Sequence, residues 1–339
     1  MDKNNKKKII CFILIFSIAM YIKSVWHPYG HIKLAGNMHS KGEYKYDSST
    51  LLSDGTILIV GGGCGDAKAE IYDPKMDTFS VIAAPHSEHY WHKTILLKNG
   101  NVLIVSSQGI EVFDKTEKTF KVIKNSELLN RYKQKEKHIK YPPVKDNFFI
   151  LENGDILLYK SNEKNNTTPL FSDLQIYDKE TIKLKNKLVI KHLIKTPHLL
   201  PDGKILFDIK DSDHRGLYNQ KDNTFTVTDN YKKTEEQIKN EQVYKNAINA
   251  YKKISSKFKK YTHEPIVLKS GNILFLSQDR NYIYRYKNNK LYRISDFARW
   301  RRGFSTSILP NGDVLITGGS CGNKESHLPF TQAEIYTEK

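Results

Sequence analysis

Six times along the chain, two short apolar runs meet across a glycine-bearing turn: STLLSDGTILIVGG (49–62), TILLKNGNVLIVSS (94–107), FFILENGDILLYKS (148–161), PHLLPDGKILFDIK (197–210), PIVLKSGNILFLSQ (265–278) and STSILPNGDVLITGG (305–319). Asp-Gly and Asn-Gly accept the positive φ of a two-residue hairpin turn, and Ser270-Gly271 is a tolerable variant, so each copy predicts strand, tight turn, strand. Both strands are almost continuously apolar, as strands covered on both faces are, so each hairpin should be sandwiched between neighbours.

A second, less apolar pair follows most hairpins: AEIYDP with TFSVI, IEVFDK with TFKVI, LQIYDK with IKLKNKLVI, RGLYNQ with TFTVT, and YIYRYK with KLYRIS. Four antiparallel strands per repeat, inner hairpin more apolar than outer, is the pattern of a β-propeller blade. The sixth copy reaches AEIYTEK with no fourth strand after it, while HIKLA (31–35) stands before the first copy with no hairpin of its own. This strand is predicted to pair with 333–337 and close the ring, which also covers an exposed edge. The expected fold is all-β: a six-bladed propeller over 28–339 closed by an N-terminal strand, with helical insertions and an N-terminal membrane helix.

The run ending in Gly61-Gly62, then Ala69-Glu70-Ile71-Tyr72-Asp73-Pro74 and Phe79, and again Gly318-Gly319 with Ala333-Glu334-Ile335-Tyr336, resembles the kelch repeat and the central propeller of galactose-oxidase-like proteins. Copies two to five lack the double glycine, and Phe79, Phe120 and Phe225 stand where the family has tryptophan. The resemblance implies the fold and not an activity, because propellers host catalysts and plain binders alike. The copper sites of galactose-oxidase-like enzymes use a tyrosine directly followed by histidine, and this chain has no Tyr-His pair. No cofactor is expected.

Residues 1–27 read as an export signal. MDKNNKKK precedes a run from Ile9 to Ile22 whose only polar side chain is Ser17. Those residues alone fall short of the roughly 30 Å hydrocarbon core, but counting on to Trp26, with Lys23 snorkelling, gives enough for a short signal anchor. Anchor through residues 9–26 is the preferred reading and cleaved signal peptide the alternative. Either places the propeller outside the cytoplasm, anchored at the cytoplasmic membrane in the first case and secreted or periplasmic in the second.

The 339 residues carry a net charge of +17, which raises the question of nucleic acid. Of the 54 basic residues only 8 are arginine, and the 46 lysines are spread among 37 acids; readers of nucleic acid favour arginine forks and concentrated basic faces, so none is expected as a partner. Three cysteines without CxxC spacing exclude a disulfide-dense scaffold and a multi-thiolate zinc cluster.

Length variation concentrates in the connections between blades and between second and third strands, above all at 124–145 and 229–263. These share one face, opposite the tight turns, and function is assigned to this long-loop face. On it, His89, Trp91 and His92 precede the inner strand of blade two, and Arg299, Trp300, Arg301 and Arg302 hold the same place in blade six. Trp91 suits stacking on a sugar or peptide. Three of eight arginines in one tetrapeptide suggest forked recognition of a carboxylate, sulfate or phosphate, with pairing to acids of the protein as the alternative. No metal site is assigned. Cys64 and Cys321 occupy matched positions in blades that closure makes adjacent, and a disulfide between them is expected. Within the second insertion, Tyr244, Ala247, Tyr251, Ile254 and Phe258 form one stripe of an amphipathic helix over about 234–260. The expectation is a binding module for a glycan, anionic ligand or protein, rather than an enzyme; the alternative is a carbohydrate-active enzyme, such as a sialic-acid epimerase or a lyase, working at the propeller axis.

Overall fold

The computed structural model describes residues 30–39, 48–61, 68–89, 92–124, 128, 147–162, 171–200, 203–210, 212, 214–229, 235–255, 265–277, 282–298, 301–321, 328–329 and 331–338. They build six antiparallel sheets with the strand order of a β-propeller. Blade one is Ser48–Leu51, Ile57–Val60, Ala69–Asp73 and Thr78–Val81. Blade two is Lys93–Leu96, Val102–Val105, Ile110–Asp114 and Thr119–Val122. Blade three is Asn147–Ile150, Ile156–Asn162, Phe171–Tyr177 and Leu184–Ile190. Blade four is Ile194–Leu199, Ile205–Ile209, Arg215–Asn219 and Thr224–Thr228. Blade five is Ile266–Val267, Ile273–Ser277, Tyr282–Lys287 and Lys290–Asp296.

Blade six takes Arg302–Ile308, Val314–Cys321 and Gln332–Glu338 from the end of the chain and Gly30–Asn37 from its beginning, with Leu328–Pro329 beside the second strand. The closing pair is antiparallel, His31 opposite Thr337 and Leu34 opposite Glu334, in the register expected from the sequence.

The hairpin turns differ from the expectation. Only the glycine is left-handed: φ is +88° at Gly55, +85° at Gly100 and +95° at Gly312, with no positive φ at the Asp or Asn before them. The Gly55 N–H donates to Leu52 and the Leu52 N–H to Thr56, which makes a three-residue loop closed by a glycine bulge, and the same pair of bonds recurs in the other five hairpins. The Asp or Asn serves another purpose. Asp54, Asn99, Asn153 and Asn311 each accept the backbone N–H two residues on, fixing the loop with a side-chain turn.

Alternation along the second strands puts one face of each blade on the preceding blade and the other on the next. Ile57 and Ile59 pack with Leu315 of blade six, Leu58 and Val60 with Val102 and Ile104 of blade two, and Leu103 and Val105 with Ile156 and Leu158 of blade three. Blade three meets four through Leu157, Tyr159, Ile205 and Phe207, and blade five meets six through Leu274, Leu276, Val314 and Ile316. Between blades four and five no such cluster occurs among the described residues. There the face of blade five bearing Ile273 and Phe275 packs on the helix Glu235–Ser255, with Tyr251 stacked on Phe275 at 4.4 Å between ring centroids. The stripe is rotated from the one expected: Val243, Ala247, Ala250 and Tyr251 face the blade, while Tyr244 is 39% exposed.

The insertion at 124–145 and the leader with its apolar residues 9–26 lie almost wholly or wholly outside the described residues. Among the described residues no helix is long and apolar enough to cross a membrane.

Candidate functional site

Opposite the third residue of each second strand, the third strands place Glu70, Glu111, Gln175, Gly216, Tyr284 and Glu334. The three glutamates are fully buried. A carboxylate is stable there only if its lone pairs are filled, and all three draw donors from the loop that leads into their own blade.

Blade two shows the arrangement most fully. Glu111 accepts the N–H groups of His86 and Ser87, each at 2.9 Å, and the His89 Nε2 proton at 3.0 Å. His89 is buried, and its Nδ1 lies 2.8 Å from Ser106 Oγ. Burial raises the affinity of Glu111 for a proton, but the bonds from His89 and His86 outweigh that and hold its pKa down at about 2. In blade six, Glu334 accepts the Ala298 N–H at 2.9 Å and an ion pair from Arg301, both side chains being fully buried. The same guanidinium donates to the carbonyls of Gly318 and Gln332. In blade one, Glu70 accepts the His39 N–H at 3.0 Å, and the His39 ring meets the Phe79 carbonyl at 2.7 Å. Blades six, one and two are contiguous in the closed ring, so one arc of the long-loop face stands on three loops fixed by buried carboxylates.

His92 belongs to the same construction. Its ring lies against Gly61 at the end of the second strand of blade one, where φ is +105° and a Cβ would come within 2.5 Å of His92 Cε1. This explains the first glycine of the Gly61-Gly62 pair. Burial, and then the charge of nearby His89, push the His92 ring down to about 3, so it stays neutral through the physiological range.

Of the residues expected to bind ligand, His89, His92 and Arg301 are therefore internal. Arg301 realises the alternative of pairing with an acid of the protein. Arg302 opens the first strand of blade six, where its backbone pairs with Ser320, while Trp91, Arg299 and Trp300 lie outside the described residues. Cys321 ends the second strand of blade six opposite Leu328, and Cys64 also lies outside the described residues, so the expected disulfide does too. Among the described residues, no group of three or more His, Cys, Asp or Glu side chains could hold a metal ion. The carboxylate anchors were missed from sequence, although a glutamate inside an apolar strand in three copies was the signal for them.

No family model matches the chain, and no curated protein matches it. Among solved structures, one of streptogramin B lyase is similar over 92% of this chain and 99% of that chain, with a TM-score of 0.42 and 12% identity. A fungal alcohol oxidase of the AA5 family, in complex with copper, is similar over 86% of this chain and 62% of that chain, with a TM-score of 0.37 and 10% identity.

Proposed function

We propose that this chain is a kelch-like, six-bladed binding module held outside the cytoplasmic membrane by residues 9–26, and that its long-loop face takes an anionic glycan. The observation that carries the reading is the arc of three anchored loops. Arg301 and the Ala298 N–H are bound to Glu334, on either side of Arg299 and Trp300 in the sequence and directly before Arg302; His86, Ser87 and His89 are bound to Glu111, just ahead of Trp91 in the sequence. Ordering a loop before the ligand arrives removes that entropic cost from binding. Two tryptophans to stack on sugar rings and two arginines to fork a carboxylate or sulfate make a complementary set.

The test is a glycan array containing sulfated, sialylated and uronic-acid members beside neutral ones. Binding should favour the acidic members, fall at least tenfold with Arg299→Ala or Trp91→Ala, and weaken in high salt. Equal retention of neutral and acidic glycans, or retention unchanged by both substitutions, would remove the reading.

A further inference from the structure

The way the chain enters the fold fixes which face of the propeller meets the membrane. In every blade the first strand runs toward the hairpin turn and the third toward the outer turn, so both kinds of turn share the short-turn face. Blade six has no outer turn; Glu338 and Gly30, paired across its two outer strands, stand where that turn would be. Their position is independently marked by side-chain bonds. Glu338 accepts from Ser270 Oγ and Asn272 Nδ2, each at 2.7 Å, and these belong to the hairpin turn of blade five. Blade four's outer turn reaches blade three in the same way, Gln220 accepting the Glu152 N–H at 2.8 Å.

Gly30 is thus at the short-turn face, and it cannot shift far. A Cβ there would lie 2.6 Å from Tyr336 Oη and 2.7 Å from the Thr337 carbonyl, so the backbone is seated against the blade. Between Trp26 and Gly30 stand only three residues, His27, Pro28 and Tyr29. Fully extended, the four Cα–Cα steps from Trp26 to Gly30 reach at most about 14 Å. Resting on the reading of residues 9–26 as an anchor, the geometry points to a propeller seated with its short-turn face on the lipid headgroups and its long loops turned away from the bilayer.

Two properties of that face suit the assignment. Its loops are short and internally bonded, so little ordering entropy is lost against a surface. A groove of about 610 Å³ also opens on it between the turns of blades six and one, where Leu51, Leu52, Pro74 and Pro310 stand beside Ser53, Asp54, Thr56, Asp73, Lys75 and Asn311. Lipid is a better neighbour than water for its apolar members, while its polar members remain at the headgroup level.

Lysine footprinting of the unaltered full chain tests this. The chain is reconstituted in phosphatidylcholine vesicles containing phosphatidylglycerol, pulsed with a membrane-impermeant acylating reagent, and read residue by residue by mass spectrometry against the same chain in detergent micelles. Lys75, Lys98, Lys221 and Lys269 report the short-turn face, and Lys124 and Lys191 the opposite one; all six are exposed or partly exposed. The expected result is a severalfold fall in labelling of the first set relative to the second on passing from micelle to vesicle. Co-flotation with the vesicles but an unchanged ratio, or protection of Lys124 and Lys191 instead, would overturn the seating alone. Failure to co-float would overturn the anchor and the seating with it.

Discussion

Blades six, one and two and blades three, four and five solve the same packing problem with different chemistry. In the first arc the third-strand position opposite the third residue of the second strand is glutamate, and it binds the incoming loop through charge-assisted hydrogen bonds. The inner strands of that arc are also joined by hydroxyls, Ser49 to Ser305 at 2.8 Å and Thr50 to Thr94 at 2.7 Å. In the second arc the position holds Gln175, which takes the Tyr177 hydroxyl proton at 2.6 Å; Gly216, which the Phe225 ring covers so closely that a Cβ would clash at 2.1 Å; and Tyr284, which meets Tyr251 of the helix edge-on at 6.0 Å. One arc is held by polar groups that tolerate no missing partner, the other largely by aromatic packing that tolerates some. The propeller pattern constrains the blades alike; what secures the loops is a local choice.

The sharpest test of that contrast is Arg301→Ala, which leaves Glu334 charged and buried without its guanidinium and should lower unfolding free energy by about 3–5 kcal/mol in urea titrations. Replacing both partners, Arg301→Met with Glu334→Leu, should recover most of it. Gln175→Ala in the other arc should cost only about 1 kcal/mol. Tyr251→Ala should cost about 2–4 kcal/mol through lost burial and stacking, and should speed amide exchange in Glu235–Ser255 while the blades stay protected. Equal acceleration in blades one and two would show that the arcs are not separable.

Gly61→Ala combines a left-handed backbone with a collision against His92, and about 1–3 kcal/mol is expected. Gly271→Ala has the same sign of φ but open space around the new Cβ, and should cost about 1 kcal/mol. The difference isolates the His92 contact.

A further effect is in pH. His92 is held neutral with its pKa near 3 against an ordinary 6.5, so between these values the unfolded chain binds the extra proton and stability falls as pH falls. Glu111, at about 2 against 4.5, adds a second loss over that lower range, because its carboxylate is the form the fold stabilises. Between pH 6.5 and 5 the His92 contribution should be about 1–2 kcal/mol, and His92→Leu should flatten that part of a stability profile. An unaltered slope would show that His92 is not the group responsible.

The six hairpins and the closing strand were legible because their signal is local: apolar runs of fixed length around a glycine, and a last copy one strand short. The turn type was misread because Asp-Gly and Asn-Gly serve two-residue and three-residue loops equally well, and only the φ of Asp54 or Asn99 separates them. His89 and Arg301 looked like exposed recognition groups because sequence shows that such residues gather and not which way they face. Their partners, Glu111 and Glu334, lie in strands 22 and 33 residues further on, joined to them only by the fold. The helix could be read from its period, but its docking on the Ile273 and Phe275 face of blade five is set by a partner surface that no periodicity records.

Closing blade six with Gly30–Asn37 has a consequence for biosynthesis. Gly30–Asn37 leaves the ribosome ahead of the five other blades and its hydrogen-bonding partner, Gln332–Glu338, only behind them, so until that partner emerges it carries an open row of amides and carbonyls. A nascent chain in that state offers a template for pairing with another copy of itself, and its final annealing step spans nearly the whole sequence, the slowest class of contact to form.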